Sequence, residues 1–248
     1  GVMGYLSGDQ NLINAYQSGD IYIHTAKLFG MVPENATKQT HPEERGIFKV
    51  LYLANSYGQG PKAVAESLKC SVAHAKELQN KYKQVYKKYF SWIEGNIEAG
   101  LNQKYLTTVY GWQRHINSLT TIKDGKTVHI HRSLLNWPIQ SHGAEILRKA
   151  LIDLTDENFE VCALVHDAVL IQIPIPEFKT RLEEAKQIMV NASIDVVGGP
   201  IRVDHEVIKT NYVQEGKDQK LFDEIMKEIN TYTRSEQKVH PNREHRPI

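Results

Sequence analysis

The segment from Val161 to Ile173 consists of two short apolar runs separated by one polar pair, His166-Asp167. Short runs rich in Val, Ile and Leu predict buried strands, so we expect the polar pair at the tip of a β-hairpin. Tight hairpins usually turn on Asn-Gly, Asp-Gly or Gly-rich pairs. A His-Asp pair is a poor choice for a turn and a good one for holding a cation. A surface turn with a solvated aspartate is the alternative interpretation of this segment alone.

The composition is ordinary for a globular protein and excludes few functions. The 248 residues can form one large domain or two small ones with a substantial core. The net charge of +1 excludes a strong overall basic field, although Lys and Arg concentrate in 38–49, 62–88 and 104–149. Two cysteines, Cys70 and Cys162, are too few for a disulfide framework or a zinc site and fit a reducing compartment. No uninterrupted apolar stretch is long enough to span a bilayer.

Hydrophobic periodicity predicts a helical first half and a second half that alternates strands with helices. The predicted helices of the first half cover 9–18, 20–29, 41–57, 62–69 and 71–100. The later predicted elements are a β-like segment at 104–110, a loop or hairpin around Asp124-Gly125, a helix at 133–154 kinked at Pro138, a helix at 177–192, a half-buried strand at 201–207 and a helix at 218–231. The polar stretch 235–248 is expected to be disordered. The change of pattern near residue 111 predicts a subdomain boundary.

The predicted helix 41–57 carries chemistry along one side. Arg45, Lys49, Leu53 and Tyr57 lie four residues apart and therefore share a slowly winding stripe of roughly 18 Å. Two cations near the N-terminal end of a helix suit phosphates, and an aromatic ring at the far end suits a nucleobase. The stripe therefore matches the reach of a nucleoside triphosphate. From spacing alone, an ordinary amphipathic helix with solvated cations is at least as well favoured.

The start and the buried side of this helix can also be predicted. Thr40 and Glu43 have capping-box spacing before it. On the face opposite the stripe, Phe48, Leu51 and Tyr52 are expected to pack into the core.

Five segments, taken in order, resemble elements of the family A DNA polymerases, the DNA polymerase I family. Arg45-x3-Lys49-x3-Leu53-x3-Tyr57-Gly58 resembles motif B, the fingers helix that binds the incoming nucleotide, and Val165-His166-Asp167 resembles motif C, whose aspartate binds metal. The other three matches are Leu6-Ser-Gly-Asp9 through Asp20-Ile-Tyr22, which resembles the segment after motif A, Thr107-Thr-Val-Tyr-Gly111, which resembles a Thr-x-x-Gly-Arg-Arg element, and Arg132-x3-Asn136-x-Pro138-x-Gln140, which resembles the primer-template segment. The resemblance covers residues 1 to about 212.

The resemblance implies an α+β chain with the right-hand polymerase fold, in which a helical fingers subdomain joins part of an antiparallel palm sheet with helices. It implies that 1–111 form the start of the palm and the fingers. Residues 112–216 would then form the palm with the motif C hairpin, and 217–248 a partly disordered C-terminal extension.

The resemblance also implies the roles of individual residues. The implied catalytic residues are Asp167, Lys49 and His166, with Asp167 as the metal ligand. The implied dNTP-binding residues are Arg45, Lys49, Leu53, Tyr57, Gly58 and Tyr22, and His24 lies beside Tyr22 where the family has a nucleotide-side residue. The implied DNA-binding residues are Arg114, Arg132, Asn136, Gln140 and His166.

Several family features are missing or changed in this sequence. The metal-binding aspartate of motif A and a nearby glutamate are expected upstream of Gly1, as is the thumb. Ala168 stands where motif C usually has Glu, and Leu53 where motif B commonly has Phe or Tyr. Nucleotidyl transfer uses two divalent ions ~3.5–4 Å apart, bridged by carboxylates, and Mg²⁺ prefers such oxygen ligands.

One aspartate cannot form both metal sites. We therefore expect one chain of a split polymerase, whose N-terminal partner chain brings the thumb and the other set of Mg²⁺ ligands. This chain alone is expected to be inactive or poorly folded. A truncated product of an intact gene is the alternative. The other expected partners are primer-template DNA and dNTP, in the cytoplasm of a bacterial or phage-infected cell and associated with the nucleoid.

Two alternative functions are open from the sequence. The single-subunit phage-type RNA polymerases share the Arg-x3-Lys-x7-Tyr-Gly helix and a His-Asp hairpin, although the 107–111 and 136–140 segments favour the DNA enzyme. A non-catalytic, DNA-binding polymerase relative is suggested by Ala168 and the missing carboxylates. A metal aspartate beside a triphosphate clamp argues against that alternative.

Overall fold

The computed structural model describes residues 1–118, 120–123, 126–129, 131–208 and 222–228. Contacts divide the chain into two units, residues 1–203 and 204–248. The helices of the first unit are α1 (Val2–Ser7), α2 (Gln10–Gln17), α3 (Ile21–Leu28), α4 (Pro42–Ser56), α5 (Pro61–Leu68), α6 (Val72–Val85), α7 (Lys87–Gln103), α8 (His131–Asp156) and α9 (Phe178–Val197), with a short 3₁₀ turn at Ile175–Glu177. Its strands are β1 (Tyr105–Thr107), β2 (Gln113–His115), β3 (Thr120–Lys123), β4 (Lys126–His129), β5 (Glu160–Val165) and β6 (Ala168–Gln172).

In the second unit, residues 222–228 are helical, within the helix predicted at 218–231. The rest of that predicted helix and the stretch 235–248 lie outside the described residues. Among the described residues, none of the helices combines the length and apolarity that a bilayer span requires.

The predicted single helix at 71–100 is wrong, because two helices, α6 and α7, meet at Tyr86. Tyr86 leaves the helical region, with φ −108° and ψ 41°. Its ring is completely buried, and its hydroxyl lies 2.5 Å from Oγ1 of Thr25. Immediately beyond the break, the Tyr89 N–H donates to Oδ2 of Asp9 at 2.9 Å. Asp9 thereby satisfies a donor that the first turn of α7 would otherwise leave without a partner.

The main core of the first unit is aromatic and lies between α3, α4, α6 and α7. Phe48 and Leu51 of α4 are fully buried, as predicted for the face opposite the stripe, and Tyr52 is half-buried. Phe48 meets Phe29 edge-to-face at 4.8 Å. Burying such rings is the largest contribution that individual residues make to a core of this size. The core therefore holds α4 by one face and leaves its opposite face exposed.

The start of α4 differs from the predicted capping box. His41 occupies the N-cap position without a side-chain capping bond, and Pro42 is the first helical residue. Oγ1 of Thr40 instead accepts from the Thr37 N–H at 3.0 Å and lies 2.8 Å from Nδ1 of His41. The Thr40 hydroxyl, which the capping box required, is therefore bonded to the Thr37 turn instead.

The described strands form three two-stranded antiparallel sheets, β1–β2, β3–β4 and β5–β6. The β5–β6 hairpin confirms the predicted element, since Val165 pairs with Ala168 and leaves His166-Asp167 as a two-residue turn. The expectation that both strands are buried is wrong, because Leu164 is 50% exposed and Val165 is 42% exposed. Among the described residues, one face of the hairpin packs on α8 and α9, in a small core with Leu154, Phe159 and Ala185.

The other second-half predictions have mixed outcomes. Asp124-Gly125 lies outside the described residues, although β3 and β4 pair on either side of it. The half-buried strand predicted at 201–207 is wrong. Its first N–H groups bind side chains instead of a neighbouring strand, since Ile201 donates to Oγ of the fully buried Ser193 at 2.8 Å and Arg202 donates to the Tyr16 hydroxyl at 2.6 Å.

Candidate functional site

The α4 stripe (Arg45, Lys49, Leu53 and Tyr57) lies on the uncovered side of its helix. Arg45 is half-buried, Lys49 is exposed, and Leu53 and Tyr57 are 41% and 48% exposed. Tyr57 caps the helix, and Gly58 follows with φ +63°, a conformation that favours glycine. A large uncovered leucine and tyrosine in line with two cations form a surface suited to a ligand with a charged end and a flat apolar end.

Arg45 is held by two residues at the start of α3. Its Nε donates to Oδ2 of Asp20 at 2.6 Å, and its guanidinium carbon lies 4.9 Å from the centre of the Tyr22 ring. Oδ1 of Asp20 caps α3 by accepting from the N–H groups of Tyr22 and Ile23 at 3.1 and 3.2 Å. Burial raises the pKa of Asp20, but the hydrogen bonds from Arg45 and these N–H groups outweigh it and leave the pKa below its usual value.

A cleft of about 430 Å³ opens beside this ion pair. Among the residues that line it are three basic side chains, Lys27, Lys38 and Arg45, together with His24 and Asp20. Burial and the nearby Lys27 lower the pKa of His24. With three cations and one carboxylate, the cleft favours an anionic ligand.

The hairpin tip, His166 and Asp167, is exposed to solvent. His166 adopts φ +58°, in the left-handed region that non-glycine residues rarely occupy. Among the described residues, the Asp167 carboxylate has neither a hydrogen-bond partner nor an ion-pair partner, so it is available to a cation. The described part of the chain brings no three His, Cys, Asp or Glu side chains together as a metal-binding group.

A buried polar cluster links the β1–β2 turn to α8. Thr108 donates from Oγ1 to Oε1 of the buried Glu145 and accepts from the Trp112 N–H at 3.0 Å. Oε2 of Glu145 is buried and has no hydrogen-bond partner within the described residues. Nδ1 of His142 lies 2.6 Å from the Pro138 carbonyl, and its Nε2 accepts from the Val109 N–H at 3.2 Å. Because a carbonyl can only accept, Nδ1 of His142 is the donor to Pro138, and Nε2 is the acceptor for Val109.

The residues predicted to contact DNA lie at the start of α8 and on β2. Arg114 donates to the carbonyl and the hydroxyl of Ser133 at 2.9 and 2.7 Å, and partial burial lowers its pKa. Asn136 is half-buried and Gln140 is exposed, one helical turn apart. The side chain of Arg132 lies outside the described residues.

The structure therefore groups the predicted site residues into three places: Tyr22 with the α4 stripe, Arg114 with the start of α8, and the hairpin tip. Within the described residues, no hydrogen bond or ion pair links the hairpin tip to α4. Sequence reasoning missed Asp20 as the partner of Arg45. The available signal was the position of Asp20 as an N-cap before a short helix. Capping uses one carboxylate oxygen and leaves the second without a predicted partner.

A sequence profile of DNA polymerase family A matches residues 1–212. The chain is 29% identical to the thermostable DNA polymerase I of Thermus thermophilus over 194 residues, which are 76% of this chain and 23% of that protein. It is 24% identical to DNA polymerase I of Bacillus subtilis over 214 residues, or 82% of this chain and 23% of that protein. It thus spans about a quarter of the length of these curated relatives.

A solved structure, the POL domain of Pol1 from M. smegmatis in complex with DNA primer-template and dNTP, has a similar fold. The TM-score is 0.67 at 24% identity, and the match covers 80% of this chain and 35% of that chain. At this identity the likeness concerns the fold alone, and it confirms the predicted α+β polymerase fold. The matched profile is that of the DNA enzymes, and it does not favour a phage-type RNA polymerase.

Proposed function

Because this chain belongs to DNA polymerase family A, we propose that it forms part of a template-dependent DNA polymerase, which transfers dNMP from dNTP to a primer 3′ end. The observation that carries the proposal is the α4 stripe, with two cations and two uncovered apolar groups in line on a helix whose other face is buried. A non-catalytic DNA-binding relative has no need for this arrangement together with Asp167, an aspartate that is unpartnered among the described residues.

The proposed roles of the stripe follow its chemistry. Arg45 and Lys49 hold the triphosphate, because charge-assisted bonds from Arg and Lys to phosphate are strong and Arg can bind it bidentately. Leu53, Tyr57 and Gly58 lie beside the nascent base pair, where a flat apolar surface tolerates any base. The face of the Tyr22 ring lies against the guanidinium of Arg45 and supports it. Catalysis by these residues is positioning and electrostatic stabilisation of the phosphates.

Asp167 is the proposed Mg²⁺ ligand of this chain. Its carboxylate is exposed and unpartnered among the described residues, and carboxylate oxygen is the donor that Mg²⁺ prefers. When bound, a pair of such ions activates the primer hydroxyl and stabilises the leaving pyrophosphate. One carboxylate fits only part of that pair, so the remaining ligands come from polymerase residues outside this sequence. His166 would lie next to the primer end as the neighbour of Asp167.

The proposed contacts to primer-template DNA use Arg114, Arg132, Asn136, Gln140 and His166. Arg114 is anchored to Ser133, so β2 and the start of α8 would present these groups together. Contacts of this kind fix the position of the duplex end rather than its sequence. The division into 1–111, 112–216 and 217–248 as palm start with fingers, palm and extension also stays a prediction.

We further propose that a separate N-terminal polymerase chain carries the motif A aspartate and the thumb. Leu164 and Val165, exposed on opposite faces of the hairpin next to its turn, support a covering segment from outside this sequence, because a two-stranded sheet is only marginally stable by itself. The proposed location is the cytoplasm of a bacterial or phage-infected cell, next to the nucleoid, where primer-template DNA and dNTP are found.

Primer extension tests the proposed function. The 248-residue chain is mixed with a polypeptide carrying the thumb and motif A, in Mg²⁺ buffer, with labelled primer-template and either dNTP or NTP. We expect extension with dNTP only after mixing. Asp167→Asn should abolish extension while sparing assembly, and Lys49→Ala should lower its rate by about 10²–10³-fold. The matched control is Asp156→Asn at the exposed end of α8, which should keep the full rate.

Each other outcome contradicts a different part of the proposal. Extension at a normal rate by this chain alone would exclude the separate partner. A preference for NTP would favour the RNA polymerase alternative. Metal-independent DNA binding without extension by any mixture would favour the non-catalytic relative.

A further inference from the structure

The ion pair between Asp20 and Arg45 has a geometry that prepares the arginine for an anionic ligand. From it we infer that Asp20 is a positioning residue for the triphosphate of the incoming nucleotide, acting through Arg45. This inference rests on the proposed function, because it assigns a role at the same nucleotide site. It adds a residue outside the α4 stripe, one that the spacing of motif B does not include.

The two carboxylate oxygens of Asp20 have separate partners. Oδ1 accepts from the Tyr22 and Ile23 N–H groups, so the carboxylate is fixed to the start of α3. Oδ2 accepts from Nε of Arg45 at 2.6 Å. The carboxylate is therefore anchored to the backbone before it binds the guanidinium. An anchored acceptor defines the direction of its donor far better than a free surface carboxylate does.

The hydrogen bond to Asp20 leaves the terminal nitrogens of Arg45 free for a ligand. Only Nε is bonded to Asp20, and among the described residues neither Nη1 nor Nη2 has a hydrogen-bond partner. The Tyr22 ring lies against the guanidinium, at 4.9 Å from its central carbon, and Tyr22 itself packs edge-to-face on Tyr52 at 5.7 Å. Asp20 and Tyr22 thus restrain the guanidinium from two sides, while its terminal nitrogens remain available for two phosphate oxygens.

The surroundings indicate which ligand the free nitrogens meet. Lys27, Lys38 and His24 line the same cleft as Asp20 and Arg45. The cations Lys27, Lys38 and Arg45 favour a ligand with several negative charges. On the proposed nucleotide site, the ligand class with that charge is the polyphosphate group of a nucleotide.

Loss of the Asp20 carboxylate should change ligand affinity in opposite directions, depending on whether Asp20 positions Arg45 or acts only through its charge. Its negative charge repels a polyphosphate, so on charge alone its removal should tighten binding. If Asp20 acts by holding Arg45, loss of the carboxylate lets the Arg45 side chain sample more rotamers. Ligand binding must then order that side chain, which costs conformational entropy. Binding should weaken in that case. The sign of the change thus separates a positioning role from a bystander.

The test measures the dissociation constant of inorganic tripolyphosphate, and in parallel of Mg²⁺–dATP, by titration calorimetry of the 248-residue chain mixed with the polypeptide that carries the thumb and motif A, with that polypeptide alone as the blank. Asp20→Asn keeps one oxygen for the α3 cap but removes the acceptor for Nε. We expect it to weaken binding by about five- to tenfold, a typical coupling between contacting groups. Arg45→Ala should weaken binding further. In the Arg45→Ala background, Asp20→Asn should no longer weaken binding, because Asp20 acts only through Arg45.

Two additional variants keep the test decisive. Asp153→Asn breaks a comparable ion pair, with Lys149 at 2.6 Å and similar exposure, and should leave the dissociation constant unchanged. If Asp20→Asn fails to fold in thermal unfolding, Asp20→Ser replaces it, since serine is an equally good N-cap and cannot reach Nε.

The outcomes distinguish this inference from the proposed function. Unchanged or tighter binding by Asp20→Asn, with a loss in Arg45→Ala, overturns the role of Asp20 and leaves the proposed nucleotide site intact. No loss in Arg45→Ala, or no binding by the unmodified mixture, overturns the proposed nucleotide site itself. Weaker binding by Asp20→Asn that persists in the Arg45→Ala background shows that Asp20 does not act through Arg45, and also contradicts the inference.

Discussion

The Asp9 carboxylate binds the backbone N–H of Tyr89 at 2.9 Å, across 80 residues of chain. Its other oxygen caps α2 through the N–H groups of Asn11 and Leu12, at 3.0 and 3.2 Å. One side chain that is 3% exposed thus satisfies the starts of two helices. This double cap explains why the chain can restart a helix directly after Tyr86.

Asp9→Ala should therefore destabilise the chain by about 2–4 kcal/mol, because it leaves buried N–H groups of two helices without an acceptor. Asp9→Asn retains one acceptor and should cost less. The free energy of unfolding in urea measures both. Ser71→Ala is the control, since Ser71 caps α6 through one bond, to the His74 N–H, and should cost about 1 kcal/mol. Equal losses for Asp9→Ala and Ser71→Ala would refute the double cap.

The buried tyrosines should make the fold sensitive to alkali. Burial raises the pKa of Tyr86 from 10.0 to about 12, with its Thr25 hydrogen bond acting in the opposite direction. The folded state therefore holds this proton more tightly than the unfolded state. Its contribution is complete below pH 10 and is lost as the pH rises from 10 to 12, by about 2–3 kcal/mol.

Urea unfolding at pH 8, 10 and 11 checks this expectation. Tyr86→Phe should be less stable at pH 8 by about 1 kcal/mol, through the lost hydrogen bond, and should decline less steeply above pH 10. Tyr110→Phe, at a ring that is 53% exposed, is the control and should follow the unmodified chain. Parallel declines for all three proteins would show that Tyr86 is not the group responsible.

The left-handed conformation of His166 should cost stability. A non-glycine residue in this region is unfavourable by about 1–2 kcal/mol. Glycine removes this strain, but it loses more conformational entropy on folding, so only part of the cost is recovered. His166→Gly should raise the free energy of unfolding by about 0.5–1 kcal/mol. Lys104→Gly is the control without a proposed function, since Lys104 also has a positive φ, 68°, at the end of α7.

The two variants should differ in catalysis. In the reconstituted polymerase, His166→Gly should slow primer extension, whereas Lys104→Gly should not. Extension at the normal rate by a stabilised His166→Gly protein would mean that the histidine is only a turn residue.

Ser193 should be needed to hold the segment after α9. Its fully buried hydroxyl donates to the Val190 carbonyl at 2.6 Å and accepts from the Ile201 N–H at 2.8 Å. Ser193→Ala should cost about 1–3 kcal/mol, because the partly buried N–H of Ile201 loses its partner. Hydrogen exchange of that amide should accelerate at the same time. Ser67→Ala is the control, since that exposed hydroxyl, within the described part of the chain, bonds the Ala63 carbonyl of its own helix. An unchanged exchange rate at Ile201 would contradict this anchor.

Local patterns were sufficient to predict much of this fold. The α4 helix, its buried face and the two-residue hairpin turn depend on residues close in sequence, and periodicity or turn length determines them. The predicted strand at 201–207 failed because its N–H groups bind Ser193 and Tyr16, and no short window contains those partners. Tertiary contacts replaced the local preference of an alternating segment.

In the candidate site, too, the residues close in sequence were predictable and the pairs between elements were not. The α4 stripe came from four residues at constant spacing, all on one helix. The pairing of Arg45 with Asp20 spans 25 residues and two helices, so it appears only when α3 and α4 pack together. The buried Glu145 was missed for the same reason, because its partner Thr108 lies on a different element.

The exposed tip of the β5–β6 hairpin also has a practical consequence. Leu164 and Val165 lie next to the turn of a sheet that has two strands among the described residues, and an unpaired strand edge is a template for pairing with another strand. In a concentrated preparation the nearest available strand is the same hairpin of a second molecule. Purification of this polypeptide by itself will therefore select for oligomers and aggregates, and co-production with a strand that covers the hairpin is the route to a monodisperse sample.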